Sequence, residues 1–334
     1  MIKRFLLYTV FGLMGAISAP MEAICQQTYA EKLGFDKNDK VLIIHVDDLG
    51  MSYSSNTGGL KAISEGLANS GSMMMPCAWI PDLFKRAEKV KDLDLGLHLT
   101  LTSEWDTYRW GPVIGTGGGP SLVDKEGKLY KTVDEVVENA SLSEVEKELR
   151  AQIELSRTMG IVPTHLDSHM GTLFANPDYM ALYVRLGIEY RIPVMVPAGH
   201  NTLVSAGISP EFKEQVRLIG EQLWDAGLPV IDDLLNESYD WRLPDGVEPT
   251  HENLMEYKTN KYMEAFSRVQ PGITYVITHC SDPSDIFGEI TDSGDTRKGD
   301  MLAMLDPRLK AYIEKEKFVL VTWRELMERR KKVK

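Results

Sequence analysis

The segment THLDSHMGTLF, beginning at Thr164, sets His165, Asp167 and His169 at alternate positions. Two other apolar runs carry similar intrusions, HVDDLG from His45 and GLHLTL from Gly96. Asp and His are weak strand formers and are seldom buried without a partner. One such intrusion means little, but three of the same acid–imidazole type point to a set of metal ligands. One carboxylate with two imidazoles leaves a coordination position open for water. Nitrogen donors favour Zn²⁺, Co²⁺, Ni²⁺ or Fe²⁺, while carboxylate and water also admit Mg²⁺. A cation so held lowers the pKa of its water and polarises a carbonyl, and a neighbouring carboxylate can take the water's proton. The paired acids Asp47 and Asp48 supply both parts.

Each piece has a plainer explanation when taken alone. An Asp-Asp pair at a strand end is most often a turn or a helix cap. His98 alone reads as a hydrogen-bonded core histidine. His165 and Asp167 alternate about Leu166, as on a half-buried polar strand face that His169 would share. Three anomalies at the same end of three strands outweigh these separate explanations. His279 joins the set because it ends the apolar run 273–278. His45, inside an apolar strand, reads as structural, His200 as a loop residue and His251 as a surface residue at a helix start.

The elements that must position these residues alternate. Apolar runs at 41–46, 72–79, 93–101, 162–166, 192–196, 229–231, 273–278 and 318–323 are separated by amphipathic stretches. Ser143 with Glu146 reads as a capping box, with Gly160 and Pro163 closing that helix. Asn176-Pro177 and Ser209-Pro210 each set a capping residue before a helix-starting proline. Gly227 and Pro229 close the second of these helices. Strand–helix alternation implies parallel strands with helical crossovers. Eight strands predict an α/β fold, a closed TIM-like β/α barrel with one strand irregular or missing. A doubly wound open sheet is the alternative, although the dinucleotide glycine signature is absent after the first strand. In barrels the loops after strands build the active site, and the acids and imidazoles all fall at those ends. Residues 105–131 and 232–248 read as long rim insertions whose Trp and Tyr suit stacking on sugar rings.

The chain has 334 residues, 43% hydrophobic and 26% charged, and a net charge of -12, with no basic stripe outside the terminal RRKKVK. That excludes a nucleic-acid or membrane-surface binder as the first expectation. At the N-terminus Lys3 and Arg4 precede a short apolar run and then small residues, the three parts of a secretory signal. Residues 1–25 therefore read as a signal peptide of an exported protein, periplasmic or extracellular, and residues 38–330 as one catalytic domain. Cys77 and Cys280 suit buried free thiols, with a disulfide between them as the alternative.

At DDLGMSYSSNTG from Asp47, GLHLTL around His98 and THLDSH ending at His169, the chain resembles the YdjC-like carbohydrate deacetylases. The motifs cover roughly the first half of the chain after the signal. The resemblance implies a β/α barrel of polysaccharide-deacetylase type and metal-dependent removal of acetyl groups from N-acetylated sugars. It implies Asp47 as catalytic base, Asp48, His98 and His169 as ligands of a divalent cation (Mg²⁺ or Zn²⁺), and His165 and Asp167 as residues that orient the ligands. His279 is expected to protonate the leaving amine, its charge supported by Asp282 or Asp285. The chain departs from the family at Met170-Gly171-Thr172, where further histidines are common, and at His279-Cys280-Ser281-Asp282, in place of a His-Pro-Gly element. Two other readings are a non-catalytic exported sugar-binding barrel and a metal-independent glycosidase that uses two carboxylates.

Overall fold

Alternation of apolar residues along the strands sets the architecture. The computed structural model describes residues 27–204 and 209–333. Seven parallel strands form one sheet: β1 Lys40–Leu49, β2 Ser70–Met73, β3 Leu95–Leu99, β4 Leu166–Ser168, β5 Asp233–Leu235, β6 Gly272–Thr278 and β7 Val319–Leu320. Their order is β4-β3-β2-β1-β6-β5, with β7 beside the start of β1. Helices cross between the strands, so the fold is α/β and the sheet curls into a half-barrel. The expected signal at 1–25 lies outside the described residues. Among the described residues no helix is long and apolar enough to cross a membrane.

The expected closure of the barrel needs correction, although the allowance for an irregular or missing strand holds. The run 192–196 forms no strand; Val194 bridges Leu166 of β4, and Pro197, just past the run, bridges Ile231, just before β5. Pro193 lies within this run and Pro197 directly after it, and proline has no N–H to give to a ladder. The sheet therefore stays open between β4 and β5. Other boundaries moved too. The second strand is shorter than expected, and residues 77–79 turn into the helix Ile80–Ala87. The sixth run extends C-terminally, so β5 occupies the start of the supposed insertion at 232–248, where Asp232 is buried and accepts N–H bonds from Tyr29, Ala30 and Ile273. Asn176 and Ser209 cap the helices Pro177–Tyr190 and Pro210–Asp225 as expected. Ser143 does not: Ser141 is the N-cap of Leu142–Thr158, and its side chain makes no cap bond. Cys77 and Cys280 are both buried and free, so no disulfide joins them.

Successive strand side chains point to opposite faces. On β1, Leu42, Ile44 and Val46 join the larger core beneath the helices, whereas Val41 and Ile43 pack inside the half-barrel with Ile231, Ile273, Tyr275, Val321 and Trp323. The same inner face continues upward as His45 and Asp47. On β3 it carries Gly96 and His98, and across β4 His165 and Asp167. Gly96 is required there, because a Cβ on it would lie 2.4 Å from the His165 ring, which stacks on Trp323. The half-barrel is thus apolar at its base and polar at the strands' C-terminal ends.

One ion pair fixes the far side of that rim. Lys258 and Asp300 are both fully buried and their charged groups lie 2.8 Å apart. Asp300 also accepts from Tyr262 Oη, Ser238 Oγ and the backbone N–H of His279. Burial opposes its charge, but Lys258 and these donors outweigh it and hold the carboxyl below the usual range. Removing one member of a buried pair strands the other charge. Lys258→Met is therefore expected to lose about 3–5 kcal/mol of stability in urea unfolding. A loss below about 1 kcal/mol would show that the pair carries no such weight.

Candidate metal centre

Adjacent residues of a regular strand cannot share a face, yet Asp47 and Asp48 line one cavity. A bulge resolves this. β1 pairs Val46 with Gly71 but Leu49 with Met73, one extra residue on β1, and Asp48 takes a left-handed backbone with φ 65°. Asp tolerates that conformation better than most residues. Around the same cavity stand His98 from β3, His169 just past β4 and His279 just past β6, with Glu104, Trp105, Tyr239 and Arg297. Met170 and Gly171 are also left-handed, turning the chain sharply after His169.

Asp48 Oδ1 is buried and has no hydrogen-bond partner. His98 Nε2 lies 3.4 Å from it and His169 Nδ1 3.5 Å. Three ligands held at roughly 2.0–2.1 Å around a tetrahedral ion stand about 3.4 Å apart. Each ring's far nitrogen meets a second carboxylate: His98 Nδ1 lies 2.7 Å from Asp167 Oδ1, and His169 Nε2 lies 3.1 Å from Glu104 Oε2. Donating there fixes the tautomer, so each lone pair faces Asp48. This set fits a divalent cation. The other Asp48 oxygen is 2.7 Å from Arg297 Nη1.

The electrostatics follow from this crowding. Burial pushes the Asp48 carboxyl up, but Arg297 and then the two imidazoles hold it well below the usual range. Burial lowers His98, but Asp47 and Asp167 raise it well above its ordinary value. His169 is likewise lowered by burial, yet Glu104 and Asp48 bring it up to about 9. A cation would take the place of those ring protons, since metal and proton compete for one lone pair.

Below lies a polar stem. Asp167 Oδ2 accepts from Tyr275 Oη at 2.9 Å and lies 3.0 Å from His45 Nε2. The same nitrogen lies 3.2 Å from Asp47 Oδ1 and 2.9 Å from Ser72 Oγ. His45 Nδ1 meets Ser70 Oγ, which donates to Asp94, and Asp94 caps the last helix through the N–H groups of Trp323 and Arg324. His45, read from sequence as structural, is therefore the link between Asp47 and Asp167. His165 touches neither candidate histidine ligand through a hydrogen bond; its Nε2 lies 3.7 Å from Asp167. Burial lowers its pKa.

His279 Nε2 lies 3.9 Å from Asp47 Oδ2, and its ring meets Tyr239 edge-on. Burial pushes its pKa down; Asp48 opposes that and Arg297 adds to it. No ion pair links it to Asp282 or Asp285 among the described residues; Asp48, Asp47 and the Asp300 carboxylate on its backbone are its acidic neighbours. His200 stands apart from this cavity, pairing with Asp233. The helix His251–Ser267 begins at His251 as expected.

The family model for YdjC-like proteins matches residues 41–315. The chain belongs to the YdjC-like family. A carbohydrate deacetylase of Thermus thermophilus is 32% identical over 298 residues, covering 89% of this chain and 97% of its own length. One from Brevibacillus brevis is 33% identical over 156 residues, 47% of this chain and 59% of its own. Among solved structures, a candidate cellobiose-phosphate cleavage protein of Enterococcus faecalis superposes with a TM-score of 0.67 at 22% identity, over 86% of this chain and 99% of that one. That likeness shows a shared fold.

Sequence reasoning missed Glu104, Arg297 and Tyr275 in this YdjC-like site. Glu104 follows GLHLTL by three residues, a spacing that carries no periodic signal, and Arg297 lies inside a helix on the far side of the chain. Carboxylates that orient metal-bound histidines commonly contribute about 10–100-fold in affinity. Glu104→Gln and Asp167→Asn are each expected to weaken Zn²⁺ binding by that factor in a chelator-competition titration. Unchanged affinity in both would reduce the two carboxylates to packing roles.

Proposed function

We propose that the protein is a metal-dependent carbohydrate deacetylase that hydrolyses the acetamide of an N-acetylated sugar to acetate and the free amine. The observation that carries this reading is the unpartnered Asp48 oxygen with two carboxylate-backed imidazoles turned toward it. The relatives named carbohydrate deacetylase support it. Asp48, His98 and His169 would hold the cation, with two nitrogens favouring Zn²⁺ over Mg²⁺. Such a cation supplies Lewis acidity to the acyl oxygen and acidifies water.

The remaining steps belong to the chain's own groups. Asp47 lines the cavity beside the ligands, with Oδ1 near His45 and Oδ2 3.8 Å from His98 Nε2. It takes the proton of the attacking water. His279 stands 3.9 Å from Asp47 Oδ2 and passes a proton to the departing nitrogen. Half-buried Trp105 and Tyr239 line the cavity and offer aromatic surface to the sugar, with the buried Arg297 guanidinium between their rings and Asp48. Residues 38–330 act as one catalytic unit in this reading. The basic, apolar and small-residue pattern of 1–25 supports export.

Asp47→Asn should keep its metal, measured by elemental analysis, and lose about 10²–10⁴-fold in acetate release. Asp48→Asn and His169→Ala should lose the metal itself. Equal metal loss in all three would overturn the division of roles. Chelation should abolish acetate release, and chelator-resistant turnover would remove the metal from the mechanism. His279→Ala should spare metal content and impair amide substrates far more than activated esters, whose leaving groups need little protonation. An equal loss on both would assign His279 to a structural role.

A further inference from the structure

Beside the segment that crosses between β4 and β5 lies a second cavity of about 280 Å³, with Met195 and Pro197 in its wall. Ser168, Gly171, Asn236 and Ile277 belong to both walls, so the two cavities adjoin. Their chemistry differs. Acids, imidazoles and Arg297 line the metal cavity, whereas Met195, Phe212, Val216 and Leu234 line much of the second. Its own polar residues are the exposed Lys213 and the buried Asn201, whose Nδ2 donates to Pro197 O while its Oδ1 has no partner. An apolar cavity of roughly 150 Å³ already accepts a benzene ring. The mechanism above uses none of this space.

A scissile amide on an amino sugar has two unlike halves. The amine half bears hydroxyls, and each hydroxyl buried without a partner costs about 1–3 kcal/mol. The acyl half has no polar group beyond its carbonyl. The sugar therefore matches the polar metal cavity with its half-buried Trp105 and Tyr239, and the apolar chamber matches only the acyl chain. We propose that this chamber is an acyl-chain site and that the protein hydrolyses amino sugars carrying N-acyl chains longer than acetyl. The chain would lie between the helix Pro210–Asp225 and the ends of β4, β5 and β6. In that reaction the C–N bond breaks, a C–O bond forms from water, and the water's protons leave with the amine and the carboxylic acid.

This inference rests on the deacetylase reading, and one experiment separates the two. The full-length, metal-loaded protein is assayed for free amine on N-acetyl-, N-butyryl- and N-hexanoyl-glucosamine. A buried methylene contributes about fourfold, so kcat/KM should rise about fourfold per added methylene. Val216→Trp, or Phe212→Trp should the first variant fail to fold, fills the chamber away from the metal. Either should keep wild-type activity on the acetyl substrate and abolish the rise with chain length. Activity on acetyl that stays flat or falls with chain length overturns the acyl site and leaves the deacetylase. A rise that survives in the tryptophan variants also overturns it, since the chain then binds elsewhere. Absence of turnover on every substrate, with metal bound, overturns both readings.

Discussion

The site depends on one buried carboxylate having enough partners. Asp167 sits inside the half-barrel, where an isolated charge would not survive desolvation. Its two oxygens meet His98 of β3, Tyr275 of β6 and His45 of β1, while its backbone belongs to β4. Four strands are thus held to one point by a charged hub rather than by apolar packing alone. Burial pushes Asp167 up, but His98, His165 and His45 hold it well below the usual carboxylate range. The hub also orients His98. Removing it would cost the site its geometry, take the nearby acid from His165, and leave His45 and His98 with only Asp47 and Asp48.

Much of the chemistry was legible because it violates packing rules. Acids and imidazoles on the inner strand face at period two, in HVDDLG, GLHLTL and THLDSH, announce themselves against apolar neighbours. Helix starts at Asn176-Pro177 and Ser209-Pro210 were legible for a local reason, since capping residue and proline act within a few positions. What escaped detection was non-local. The open edge between β4 and β5 comes from two prolines whose consequence appears only when a neighbouring strand asks for an N–H. Arg297 and Lys258 are helical cations that read as solvated faces until tertiary packing buries them. The Ser143 capping box failed because Ser141 lies one turn-fraction earlier and starts the helix first.

The half-barrel divides labour by height. Its base is apolar, with Val41, Ile273 and Val321 packed beneath Trp323. Its middle is a hydrogen-bonded column running from Asp94 through Ser70 to His45, and its top is the ring of acids and imidazoles. The column ties the N-terminus of the last helix to the inner wall of the site. Local fraying of that helix is therefore opposed by the same carboxylate that anchors the column.

The bulge at Asp48 places two unrelated demands on a single position. Its backbone must sit in the left-handed region, which most side chains enter only at a cost of about 1–2 kcal/mol, and its side chain must offer a carboxylate. Glycine and asparagine satisfy the first demand and glutamate the second, while aspartate meets both at a smaller backbone cost than glutamate. The neighbouring Asp47 inherits the same rigidity, because its direction is set by the turn its successor makes.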